Sequence, residues 1–101
     1  MEYEEPLQRV CAYFGVTLED LRKRDTSSKV SYARSFVYYI LHIDLRLSNA
    51  QTARILDRKT RIVRHTVSHI KYNIEHNKDY RKTYQELLPY IYDILFLSLM
   101  G

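Results

Sequence analysis

Residues 48–70 read SNAQTARILDRKTRIVRHTVSHI, and this stretch decides the fold. Ser48 stands before a run with helical apolar spacing, and Gln51 follows it three residues later, as in a capping box. Residues 57–59 interrupt the pattern, and a longer helix is predicted from Thr60 to His76. A short helix, a brief turn and a second helix with arginine on its first turn are typical of a helix-turn-helix. Within the second helix, core packing is expected for Ile62, Val63, Val67 and Ile70.

Three further helices are predicted upstream of this stretch. The first covers residues 5–14 and ends before Gly15, and Thr17 caps a short second one. The third covers residues 29–45, where the apolar arc is widest. We therefore expect the third helix to be the central and most buried one.

The last part of the chain is unusually apolar. Residues 78–100 predict one more helix, which Pro89 is expected to kink or restart. We therefore divide the chain into residues 1–77, a helix-turn-helix domain, and residues 78–101, an apolar helix that packs on that domain or on a partner. Core closure is favoured because so short a chain needs the buried area, and a homodimer or another protein bound through residues 80–100 is the alternative.

The composition agrees with an all-α protein. Of 101 residues only two are glycine and two proline, whereas turn-rich β folds use both repeatedly. The apolar fraction of 46% suffices for one core, so we expect a small multi-helix bundle that contains the helix-turn-helix. Cys11 is the single cysteine, which excludes an internal disulfide framework. With no secretory signal and no apolar run of bilayer length, we expect a cytoplasmic protein without a membrane partner.

Positive charge is concentrated in the middle of the chain. The net charge is only +4, but residues 22–72 carry twelve basic residues against three acidic ones. Such a segment suits a polyanion, above all nucleic acid. Arginine is the more frequent basic residue there, and arginine is the better partner for phosphate groups and base edges.

Four segments occur in the order and near the spacing of a known DNA-binding domain. They are YFGVTLEDL at residues 13–21, VSYAR at 30–34, SNAQTARIL at 48–56 and VRHTVSHI at 63–70. Over about residues 5–76 the chain thus resembles the C-terminal domain of the bacterial replication initiator DnaA. The resemblance implies a helix-turn-helix bundle of the Trp-repressor-like type that binds double-stranded DNA through an adjacent basic loop.

The candidate DNA contacts come from the loop, the central helix and the helix-turn-helix. They are Arg22, Lys23, Arg24, Lys29, Arg34, Arg58, Lys59, Thr60, Arg61, Arg64 and His65. By the resemblance, Arg34 lies on the DNA backbone, and the loop of residues 22–24 lies near phosphate or the adjacent minor groove. The family pattern also implies that His65 contacts phosphate, with plain solvation as the alternative. Arg58 and Lys59, in the turn, are expected to contact phosphate. Position on the first turn brings Arg61 and Arg64 within reach of guanine, with a solvated role as the equal alternative.

Two other functions remain open. The family carries R-D-H-T-T-V at the start of the recognition helix, whereas residues 58–63 read RKTRIV. This difference and the apolar C-terminal helix motivate a protein-interaction module as the alternative to DNA binding in replication control or transcription regulation. Binding to RNA or single-stranded DNA is the weaker third reading, motivated by the ten tyrosines.

Enzymatic activity is not expected. No Gly-x-x-x-x-Gly-Lys-Ser/Thr loop is present, so we expect no nucleotide. His65 and His69 are four residues apart on one helix face, but neither the catalytic glutamate nor a third ligand follows at zinc-binding spacing. We therefore expect no metal and no cofactor.

Overall fold

The computed structural model describes residues 3–24 and 27–100, with side chains described as far as Tyr92. Within these ranges the chain is helical and contains no strand, which confirms the predicted all-α bundle. The elements are α1 (Glu4–Phe14), α2 (Leu18–Arg22), α3 (Ser28–Tyr39), a π-helical turn (Ile40–Asp44), α4 (Asn49–Leu56), α5 (Thr60–His76) and α6 (Lys78–Met100).

The ends of the short helices follow from local hydrogen bonding. Gly15 adopts a left-handed conformation with φ 70° and ends α1, a backbone geometry that glycine accepts without steric cost. The Thr17 hydroxyl accepts from the Asp20 amide at the start of α2. Ser48 and Gln51 form the predicted capping box at the start of α4, with bonds of 3.0 and 2.9 Å between side chain and backbone.

The centre of the bundle is α3 with the π-helical turn that continues it. Phe36, Val37 and Leu41 are almost completely buried there. α3 packs against α1, α2 and α5, so it is the helix around which the others are arranged. The apolar arc of residues 29–45 indicated this central place.

α6 completes the core with the part whose side chains are described. It continues through Pro89 as one helix and does not restart there. Leu87 is fully buried and Ile91 nearly so, and α6 packs on α1 and α5. Within the part of the chain that the structure describes, none of the helices combines the length and the apolar character needed to cross a bilayer.

A half-buried carboxylate, that of Asp44, ties α6 to the end of the π-helical turn. The Tyr84 hydroxyl lies 2.9 Å from both Asp44 carboxylate oxygens, and the Tyr92 hydroxyl donates to Oδ1. Burial raises the pKa of Asp44, while the two hydrogen bonds lower it. Burial also raises the pKa of both tyrosines, so they stay protonated and able to donate. No sequence pattern indicates this cluster, because Asp44 lies forty or more positions from both tyrosines.

Candidate nucleic-acid interface

The turn between α4 and α5 is built without glycine. Asp57 takes the left-handed conformation with φ 53°, which aspartate tolerates because its short side chain can bond locally. The backbone N–H groups of Asp57 and Arg58 donate to the carbonyl oxygens of Arg54 and Ala53 and so close α4. α5 begins at Thr60 after three residues, with the element order and turn length of a helix-turn-helix.

α5 buries one face and leaves the other to solvent. Val63, Val67 and Ile70 are buried, and the helix packs on α3, α4 and α6. A helix turns by about 100° per residue, so Arg61 and His65 lie on the opposite side. All four predicted contact residues of this helix are exposed: Thr60, Arg61, Arg64 and His65. The first turn of α5 is therefore accessible to a large ligand.

The expected core position of Ile62 is wrong. Its side chain is 42% exposed. By helical geometry Ile62 lies about 110° from the centre of the face formed by Val63, Val67 and Ile70, which puts it at the edge of the helix. The spacing of those three residues was the available signal that Ile62 does not belong to their face.

Two arginines connect the end of α2 with the end of α4, and a third connects the end of α2 with α3. The Arg22 Nε donates to the Ile55 carbonyl oxygen over 2.7 Å, and the Arg34 Nε donates to that of Leu21 over 2.9 Å. Arg58 donates through both terminal nitrogens to carbonyl oxygens of the same two segments. The last carbonyls of a helix lack intrahelical partners and carry partial negative charge, so guanidinium groups are favourable there. The loop and the turn are thereby held next to each other.

These segments and the start of α5 surround one open cavity of about 750 Å³. Its lining residues are Arg22, Arg24, Arg34, Asp57, Arg58, Lys59, Arg61 and Ile62. Six of the eight are basic and one is acidic, which concentrates positive potential at a concave surface. We refer to this feature as the basic cavity. It brings together six of the eleven residues predicted as DNA contacts, and it adds Asp57 and Ile62, which the sequence analysis did not include.

The basic residues of the cavity fall into two groups. Arg22, Arg34 and Arg58 are engaged with backbone carbonyls. In contrast, the side chains of Arg24, Lys59 and Arg61 make no hydrogen bond or ion pair with any other residue that the structure describes. The second group is therefore available to an external anion without first breaking an internal contact.

Five predicted contacts lie outside the cavity lining: three are on α5, and the other two are Lys23 and Lys29. The Lys29 Nζ lies 3.3 Å from the position that a Cβ would take at Gly15, beside the C-terminal end of α1. Lys23 contributes its backbone, since its carbonyl oxygen accepts from Arg34 over 3.0 Å, and its side chain is exposed. Lys29 is therefore separated from the basic cavity in the structure, although it is close in sequence to residues that line the cavity.

The region proposed for a protein partner is described only in part. Up to Tyr92 several of its apolar side chains, such as Leu87, pack on the core, whereas Tyr90 is exposed. A second, smaller cavity of about 510 Å³ lies between α1 and α6, where Tyr13 and Tyr90 line it. The partner contacts expected from residues 93–100 lie outside the described side chains.

The histidines form no metal cluster in the described part of the chain, where no group of three or more histidine, cysteine or acidic residues could hold an ion. His76 instead stacks on the exposed ring of Tyr72, with ring centroids 4.1 Å apart.

Comparison with known proteins does not assign the chain to a family. No family model matches it, and no curated protein matches its sequence.

Proposed function

We propose that this protein binds double-stranded DNA with sequence selectivity and acts in the control of replication initiation or of transcription. In this proposal α5 enters the major groove, and the basic cavity faces the phosphates beside it. One observation carries the proposal: six basic residues from three separate segments meet at a single cavity beside the exposed first turn of α5.

Phosphate contacts account for affinity. Duplex DNA carries closely spaced negative charges, and each phosphate that a cation neutralises releases condensed counterions. Arg24, Lys59 and Arg61 have no competing internal partner among the described residues, so they are suited to this task. The arginines that are bonded to backbone carbonyls, Arg22, Arg34 and Arg58, add to the positive potential of the cavity.

Side chains of the first turn of α5 account for selectivity. In helix-turn-helix proteins the N-terminal residues of the second helix reach base edges in the major groove. Arg61 and Arg64 are exposed at this position. An arginine can donate two parallel hydrogen bonds to O6 and N7 of guanine, which discriminates against other bases by about 1–3 kcal/mol.

The tyrosines favour a duplex over a single strand as the ligand. Proteins that bind single strands stack bases on exposed aromatic rings. Here eight of the ten tyrosines belong to the core or pack against it, and the two exposed ones are Tyr72 and Tyr90. Tyr72 already stacks on His76. The resemblance to the DnaA C-terminal domain adds independent support for DNA as the polyanion.

The test is a selection of bound sequences from a random duplex pool at a stated salt concentration, followed by affinity measurements on the selected duplex. We expect an enriched motif and an affinity that falls linearly on a log–log plot against salt. Arg61→Gln is expected to relax the preference at one base pair, and Lys82→Gln, an exposed lysine of α6, is the matched control that keeps it. No enrichment, together with no duplex binding at 50 mM salt, would refute the proposal.

The protein-interaction alternative needs a different experiment from simple truncation. Ending the chain after Asn77 would remove Leu87, which is fully buried, and would expose the core. Light scattering on the intact chain, with and without the selected duplex, distinguishes a monomer from a self-associated form.

A further inference from the structure

The guanidinium group of Arg58 bridges the two segments that border the basic cavity. Nη1 donates over 2.9 Å to the Arg22 carbonyl oxygen and also to two carbonyls of its own turn. Nη2 donates to two carbonyls at the end of α2. The complete set of acceptors is Leu21, Arg22, Lys23, Leu56 and Asp57. One side chain thus serves the unpaired ends of both α2 and α4.

These hydrogen bonds occupy the guanidinium N–H groups that a phosphate would need. A guanidinium group binds phosphate well when two parallel N–H groups are free to form a fork. Both terminal nitrogens of Arg58 already face backbone carbonyls, and two of these five hydrogen bonds, to Leu56 and Leu21, are partly buried. A phosphate contact would require Arg58 to abandon the link between the two segments.

The link is reinforced from the opposite side. Arg22, which belongs to α2, donates to the Ile55 carbonyl oxygen near the end of α4 over 2.7 Å. Arg58 and Arg22 therefore cross between the same two segments in opposite directions. The cavity residues on either side of this link are Arg24, in the loop, and Lys59 and Arg61, at the start of α5.

We propose that Arg58 is a positioning residue, which fixes the loop of residues 22–24 relative to α5 and thereby sets sequence discrimination without contacting DNA itself. This inference rests on the proposed function for its effect on DNA. It replaces the phosphate contact that the sequence analysis expected of Arg58. Loss of the link lets Arg24 move relative to Arg61, so that both cannot meet the same duplex in one register.

The variant Arg58→Lys distinguishes a positioning role of Arg58 from a phosphate contact. Lysine keeps the charge and remains a good phosphate ligand, but a single ammonium group cannot span the carbonyls of two segments. We expect affinity for the selected duplex to fall about tenfold, the equivalent of one lost base contact. Affinity for a scrambled duplex and the salt dependence are expected to stay unchanged. Arg54→Lys, at an exposed arginine of α4 that does not line the cavity, controls for the exchange of residue type.

A measurement without DNA tests whether Arg58 holds the loop of residues 22–24 in place. The Lys23 amide donates to the Glu19 carbonyl oxygen over 3.1 Å at the end of α2. We expect its hydrogen exchange to quicken in Arg58→Lys and in Arg22→Lys, which removes the opposite half of the link. Arg22→Lys also keeps the inference testable if the first variant does not fold.

Three results would overturn the inference. The first is unchanged discrimination between selected and scrambled duplexes in both variants. The second is an equal loss of affinity on the selected and the scrambled duplex, which identifies an effect on binding that is independent of sequence. The third is unchanged exchange at Lys23 in both variants. If the wild-type protein binds no duplex, the proposed function fails, and the exchange measurement alone still decides whether Arg58 holds the loop.

Discussion

Lys59→Gln gives the sharpest test of the basic cavity. Lys59 is exposed and precedes the first residue of α5, and its side chain has no hydrogen bond or ion pair with other described residues. Its backbone is extended and its side chain does not cap the helix, so a glutamine is expected to change the free energy of unfolding by no more than about 0.5 kcal/mol. The substitution therefore removes one charge from the cavity and little else.

The size of the effect follows from counterion release. One phosphate contact contributes about 0.9 to the slope of log affinity against log salt concentration. Between 50 and 200 mM salt, losing one contact changes the affinity ratio of wild type to variant by about 3–4-fold. Fluorescence anisotropy with the selected duplex at four salt concentrations measures this change, and thermal unfolding confirms the fold.

The matched control is Lys82→Gln, which removes the same charge from α6. A uniform model, in which only net charge matters, predicts the same slope change for both variants. That outcome, or an unchanged slope in Lys59→Gln, would refute the reasoning that the cavity faces phosphate.

Two further predictions concern stability. Ser48→Ala removes the capping box of α4 and is expected to lower the free energy of unfolding by about 1 kcal/mol. The melting temperature is then expected to fall by roughly 4–8 °C. Ser68→Ala, on the exposed face of α5, is the control, and equal melting temperatures of the two variants would contradict the prediction. For Asp44, burial raises the folded-state pKa above its ordinary value of 3.8, so the folded protein binds its proton more tightly than the unfolded chain does. The stability of the wild type relative to Asp44→Asn is therefore greatest below pH 3.8 and is lost as pH rises through the raised pKa. Urea unfolding of both proteins between pH 3 and 7 measures the difference in their free energies of unfolding. If the stability of the wild type relative to Asp44→Asn increases with pH, the prediction is wrong.

Much of the fold could be predicted because it depends on short-range patterns. The capping box at Ser48, the stop at Gly15 and the apolar spacing of α5 each act within one or two helical turns. These signals predicted α5 to its first and last residue. The apolar character of Ile62 favours a core position, but its angular position on α5 places it at the edge of the helix.

The candidate site was predictable only as a set of residue types. Composition indicated that the middle of the chain attracts a polyanion, and the helix order indicated where such a ligand would meet α5. The pattern did not distinguish Arg58 from Lys59, although the side chain of Arg58 is bonded to five carbonyls and that of Lys59 makes no hydrogen bond or ion pair with other described residues.

The sequence by itself therefore determined the helices, their ends and the sign of the charge, since these follow from neighbouring residues. Only the tertiary structure decided which basic side chains converge and which are used internally. The physical reason is that the carbonyls that orient Arg22 and Arg58 come from segments 33 to 37 positions away, and their meeting depends on how α2, α3 and α4 pack.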